Sequence, residues 1–165
     1  MATNKPEYLI VHHTGGTEAN PFFDTSHHTM ETIDAYHKSL GWDGIGYNWF
    51  IEKDGKIRKG RSEEKIGAHT KGYNDKSVGV CLAGNFDATI PTLEQIKSLI
   101  VVMNDIKNRY KIPIEKIVPH REFANKTCYG RRLADDWAQS LLAPITQKDI
   151  ILVKVDELRK MIEML

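Results

Sequence analysis

His120 and Cys128 stand eight positions apart and bracket Lys126 in the segment His120-Arg121-Glu122-Phe123-Ala124-Asn125-Lys126-Thr127-Cys128. An imidazole, a thiolate and a fixed cation are the parts of a zinc hydrolase. Zinc takes nitrogen and sulfur donors in a tetrahedron, and a catalytic zinc uses three protein ligands and leaves the fourth position to water. The third ligand must come from elsewhere in the chain, and His12 or His13 offers it, directly after the apolar run Tyr8-Leu9-Ile10-Val11. The same pair supports a rival chemistry, with Cys128 as a thiol nucleophile and His120 as its base. No pair of carboxylates stands out from the solvated acids, which argues against a glycosidase. His27, His28 and His37 carry no such context and read as ordinary polar residues.

The elements that must position these groups follow from hydrophobic period and turn chemistry. Tyr8 to Val11 reads as a buried strand that ends at Thr14-Gly15-Gly16 and delivers His12 and His13 at its C-terminal edge. Thr29 to Leu40 has helical spacing, with Thr29 as N-cap and Gly41 just past its end. Tyr47 starts a strand that pairs, across the Asp54-Gly55 turn, with Lys56-Ile57-Arg58. Val78 to Ala83 is apolar without alternation and reads as a central strand, with Cys81 as a core residue. A capping box at Thr92 and Gln95 opens a helix whose buried face is Ile96, Leu99, Ile100, Met103, Ile106 and Tyr110. Ile117-Val118 forms a short strand feeding Pro119 and His120, and Leu133 to Leu142 a further helix carrying Trp137. The reading is an α/β fold, a central mixed β-sheet flanked by helices.

Composition bounds the partners. The 165 residues fit one domain over 1–145, and the stripe Ile151, Val155, Leu158, Ile162 and Leu165 predicts an amphipathic helix over 146–165. That helix either packs back on the domain, leaving a monomer, or mediates a dimer through residues 148–165. A formal charge of +1 gives no electrostatic case for nucleic acid or for an anionic membrane surface. The N-terminal apolar run is too short for a signal peptide or a membrane span, so the expectation is synthesis in the cytoplasm without a signal. Reducing conditions there keep Cys81 and Cys128 as thiols rather than a disulfide.

Several motifs together resemble the type 2 N-acetylmuramoyl-L-alanine amidases, the zinc family that includes small phage amidases and the animal peptidoglycan recognition proteins. They are Val11-His12-His13-Thr14, Gly46-Tyr47-Asn48-Trp49-Phe50-Ile51, Gly67-Ala68-His69, Gly72-Tyr73-Asn74, Ser77-Val78-Gly79-Val80, Pro119-His120-Arg121-Glu122 and Lys126-Thr127-Cys128. The order and intervals agree across residues 8–142. One departure is Tyr129, where the family commonly has proline; Gly130 is retained.

The resemblance implies a single-domain amidase fold, Zn2+ as cofactor, His12, His120 and Cys128 as its ligands, and Tyr47 and Lys126 at the catalytic positions. It implies hydrolysis of the amide between N-acetylmuramic acid and L-alanine of peptidoglycan, in an endolysin-like enzyme that acts on the bacterial wall. A cytoplasmic amidase that recycles soluble muropeptides, or a binding module without catalysis, are the alternatives; the presence of Cys128 favours catalysis. Lys126 is suited to oxyanion stabilisation. Tyr47, with an ordinary phenol pKa near 10, is a poor unaided base. His69 and Asn74 have donors and acceptors suited to lining a substrate cleft, though turn chemistry explains Asn74 equally well, and Glu122 is a further candidate to support a ligand histidine.

Overall fold

The computed structural model describes residues 3–144. The helix expected over 146–165, and any self-association through it, lies outside the described residues. Five strands, β1 (Tyr8–His13), β2 (Trp49–Ile51), β3 (Ile57–Lys59), β4 (Ser77–Leu82) and β5 (Ile117–Pro119), form one sheet in the order β3-β2-β4-β1-β5. β1 lies parallel to both β4 and β5, β2 is parallel to β4, and only the β2–β3 hairpin is antiparallel. The sheet is therefore mixed, as the sequence predicts.

Parallel strands inside such a sheet are covered on both faces, so they carry continuous apolar runs. All six residues of β4 are buried, and β1 is buried from Leu9 onward. On one face Leu9, Val11, Val78, Val80 and Leu82 pack with Leu99, Val102, Met103 and Ile106 of helix α2 (Leu93–Tyr110). On the other face Phe50 and Cys81 pack with Ile33 of helix α1 (Met30–Ser39) and with Ile45. Because side chains alternate across a strand, His12 shares the α1 face with Cys81 and His13 does not.

Both helices start where their caps require. The Thr29 side chain accepts from Thr32 N, and Thr92 and Gln95 form the expected capping box. The buried face of α2 differs in detail from the period read in the sequence. Gln95 and Val102 are buried while Ile96, Ile100 and Tyr110 are only partly covered. Gln95 is drawn in because its Nε2 donates at 2.8 Å to Ala83 O, just past the end of β4, and at 3.4 Å to Ile51 O, at the last residue of β2.

Two other expectations are corrected. β2 begins at Trp49, so Tyr47 precedes the strand rather than starting it. At Asn48 the side-chain Oδ1 stands in for a ladder carbonyl by accepting from Gly79 N at 2.8 Å, which interrupts the regular pairing although Asn48 N still donates to Gly79 O and Tyr47 O still accepts from Arg61 N, both at 2.9 Å. The helix expected over Leu133–Leu142 is a single turn, α3 (Trp137–Ser140). The carbonyls that an earlier start would use are taken by side chains: Leu133 O accepts from Arg121, and Ala134 O and Asp135 O lie within 2.9 Å of the Tyr129 hydroxyl.

Candidate active site

The site forms where the parallel strands β1, β4 and β5 end. Brackets of this kind at carboxyl ends of parallel strands are the usual place for ligands in α/β sheets. In the β1–β5 register Val11 pairs with Pro119, so the next residues along, His12 and His120, emerge side by side, their rings 4.6 Å apart. Cys128 arrives on the loop after β5, with Sγ 3.8 Å from His12 Nδ1. Ligand atoms of His12, His120 and Cys128 all lie within 4.8 Å of one another. Of the two adjacent histidines it is His12, not His13, that stands in this cluster. His13 turns to the opposite face, where its Nδ1 accepts from Phe86 N at 2.9 Å, while its own backbone N–H donates to Cys128 Sγ at 3.4 Å.

A cleft of about 430 Å³ opens over this cluster, with Tyr47, His69, His120, Lys126 and Cys128 in its walls. The Tyr47 ring sits 5.1 Å from that of His12. Thr14, Asp87, Thr127 and Arg131 add polar groups to the rim. His69 stands in the cleft wall, but it is 9% exposed and its Nδ1 lies 3.1 Å from His12 Nε2. Asn74 works on the backbone: its Oδ1 accepts from His69 N at 2.9 Å and Thr70 N at 2.8 Å, which shapes the loop that carries His69. Glu122 is exposed and makes no side-chain hydrogen bond among the described residues, so nothing ties it to a ligand histidine.

The loop that bears Lys126 and Cys128 is held from both sides by groups to which sequence reasoning gave no role. Asp87 accepts from Thr127 Oγ1 at 2.7 Å and from Arg131 N at 2.8 Å. Arg121 donates to Gly130 O at 2.8 Å and to Leu133 O at 2.7 Å, and its backbone N–H donates to Cys128 O at 2.7 Å. Gly130 has φ 116°, and a Cβ there would lie 2.4 Å from Phe86 Cβ, so only glycine lets the loop seat on the Phe86 segment. Arg121 lies in the His-Arg-Glu motif and Asp87 in a loop with no motif, so only the first had a signal in the sequence.

Tyr129, in the place where proline is common, is fully buried. Its ring packs edge-on to Trp137, and its hydroxyl reaches Ala134 O at 2.9 Å and Asp135 O at 2.8 Å. The tyrosine thus fastens the Cys128 loop to the turn before α3. Tyr129→Phe removes the hydroxyl proton offered to these two carbonyls and should cost about 1–2 kcal/mol of folding stability. Urea unfolding checks this, and an unchanged midpoint would contradict it.

Electrostatics prepare the cluster for a cation. Burial, then the neighbouring imidazoles His69 and His120, hold His12 neutral well below its usual range. Burial, then Lys126, lowers His120 to about 4. Burial pushes the Cys128 thiol up to about 12, opposed by the His13 N–H and by Lys126. Two bare imidazoles and one thiol that must lose its proton form a donor set for a soft or borderline divalent metal. Burial, then Cys81 and Cys128, raises the Tyr47 phenol well above its ordinary value, so it is a neutral hydrogen-bond donor.

Comparisons with known proteins agree with this geometry. The family model for N-acetylmuramoyl-L-alanine amidase matches residues 2–131. An endolysin of Enterobacteria phage K11 is 36% identical over 121 residues, covering 70% of this chain and 76% of that protein. Peptidoglycan-recognition protein SC2 of Drosophila melanogaster is 33% identical over 132 residues, covering 79% and 71%. Among solved structures, the N-acetylmuramoyl-L-alanine amidase LysC from Clostridium intestinale superposes with a TM-score of 0.73 at 31% identity, covering 84% of this chain and 86% of that one. A cleft floored by two histidines and a cysteine, on this sheet and with these relatives, shows that the chain belongs to the N-acetylmuramoyl-L-alanine amidase family.

Proposed function

We propose that the protein hydrolyses the amide between the lactyl group of N-acetylmuramic acid and L-alanine of peptidoglycan, that zinc is its metal, and that it acts as an endolysin-like wall enzyme. The observation that carries the reading is the His12, His120 and Cys128 cluster at the floor of the cleft. The donors fit zinc in kind and number. The separation of 3.8 Å between His12 Nδ1 and Cys128 Sγ is close to the roughly 3.5 Å implied by zinc bonds of about 2.1 and 2.3 Å at a tetrahedral angle. His12 Nδ1, a ring nitrogen of His120 and Cys128 Sγ would hold the ion. Bound there, zinc would supply a water of lowered pKa and a Lewis acid for the scissile carbonyl.

The chain's own residues do the remaining work. Lys126 brings an ammonium to the cleft wall, where it can offset charge developing on the carbonyl oxygen as substrate displaces water. Tyr47, neutral in its buried setting, can donate a hydrogen bond to the reacting amide but cannot serve as its base. Asp87 and Arg121 hold Lys126 and Cys128 in one geometry through the loop backbone. Stem-peptide amides and sugar hydroxyls match the donors and acceptors of Thr14, Thr127 and Arg131 at the rim.

Purified sacculi test this reading. Chelation should abolish lysis, and stoichiometric zinc should restore it. Lysis that survives full removal of metal would instead mean a thiol enzyme using Cys128. Turnover of soluble muropeptides without any attack on sacculi would replace the endolysin-like role with recycling.

A further inference from the structure

We propose that His69 is a positioning residue for the metal ligand His12, fixing which ring nitrogen of His12 is free to bind. The proposal rests on the zinc reading above and names a part of that site outside the three ligands.

The two ring nitrogens of His12 face different partners. Nδ1 is the one near Cys128 Sγ, at 3.8 Å, while Nε2 is 3.1 Å from Nδ1 of His69. The direction of that second contact follows from the far end of a chain of hydrogen bonds. Ser77 Oγ lies 2.6 Å from Tyr73 O, and a carbonyl only accepts, so the serine proton points there. Ser77 Oγ then has only lone pairs to offer His69 Nε2, 3.5 Å away, so Nε2 of His69 carries the ring proton. A neutral His69 protonated on Nε2 has a bare Nδ1, which must accept. Thr70 Oγ1, 3.1 Å from that nitrogen, is a hydroxyl free to turn its proton elsewhere, so it leaves the single lone pair of Nδ1 to His12. The proton between the two histidines therefore sits on His12 Nε2, leaving His12 Nδ1 deprotonated and directed at the metal position. Ligand histidines commonly have their other N–H held in this way, by a carboxylate, a carbonyl or water; here another histidine takes the part.

His69 occupies a seat built for its ring. A Cβ on Gly79 of β4 would come within 2.6 Å of the His69 ring, and one on Gly67 within 2.7 Å. Those two glycines let an imidazole lie against the strand beside His12, with the ring planes 86° apart. Asn74 fixes the backbone above, through His69 N and Thr70 N. Nothing in this arrangement requires His69 to touch substrate.

Zinc affinity, read by competition with a chromogenic chelator, separates this role from a substrate-binding one. His69→Leu should weaken zinc binding about 10- to 100-fold and alter the visible spectrum of the cobalt-substituted protein. His69→Gln, whose side-chain oxygen can accept from His12 Nε2–H, should recover part of the affinity. Ser77→Ala leaves both histidines in place and should weaken binding in the same direction but less, which decides the matter if His69→Leu does not fold. Wild-type zinc affinity and an unchanged cobalt spectrum in folded His69→Leu or, failing that, Ser77→Ala would overturn the proposal. Failure of the unaltered protein to bind zinc would instead overturn the metal reading itself.

Discussion

Cys128→Ser is expected to bind zinc more than about 100-fold more weakly than the unaltered protein, because removal of a direct ligand must exceed the 10- to 100-fold effect of an outer partner. Serine keeps the size of the side chain and the N–H contact from His13, but it replaces a soft thiolate by a hydroxyl that does not ionise in this site. The variant should therefore fold and lose lysis together with its metal. Its pH behaviour carries a second signature. At neutral pH the thiol, pushed up to about 12, is protonated. The histidines are already neutral there, with His120 near 4 and His12 held low by burial. Metal entry thus displaces one proton, from Cys128, and affinity should rise about tenfold per pH unit between about 5 and 8. Below about pH 4 proton competition at His120 adds to it and the slope steepens. In Cys128→Ser the neutral-range slope should vanish. Calorimetry in buffers of different ionisation enthalpy counts the proton; a slope retained in the serine variant would remove Cys128 from the ligand set.

Lys126→Ala should leave zinc content unchanged and lower kcat/KM by about 10²- to 10³-fold, the range found on removing one oxyanion donor and equivalent to about 3–4 kcal/mol. The ammonium is exposed in the free protein, so water screens it until substrate fills the cleft. Its effect should accordingly appear in kcat more than in KM. Lys126→Arg retains the charge and should recover part of the rate. Turnover within about twofold of wild type in the alanine variant would return Lys126 to the status of a solvated surface residue.

The parts of the site legible in the sequence were those whose chemistry is rare or whose period is regular. His12 ends an apolar strand, and His120 and Cys128 flank a lysine on a loop; these types at these places restrict the chemistry before any contact is known. The α/β sheet was legible for the same reason, since the β4 run without alternation and the Thr92–Gln95 capping box are local signals. What the sequence concealed is what depends on long-range hydrogen bonds. The Asn48 side chain stands in for a ladder carbonyl at Gly79 N, a residue on another strand, and so delays the regular start of β2 to Trp49. The Arg121 and Tyr129 side chains occupy carbonyls from Leu133 to Asp135 and so limit α3 to one turn. His69 read as a cleft residue because its type suits sugars and peptides; only the register of β1 against β4, which sets Gly79 opposite Ile10, reveals the seat that turns it toward His12.

The central claim is that this cluster cleaves the lactyl amide of peptidoglycan, and end-group analysis of a digest tests it most directly. Purified peptidoglycan treated with the zinc-loaded protein should gain free L-alanine amino termini in step with released stem peptides, while the glycan strands gain no reducing ends. New reducing ends, or new amino termini within the stem peptide, would contradict it.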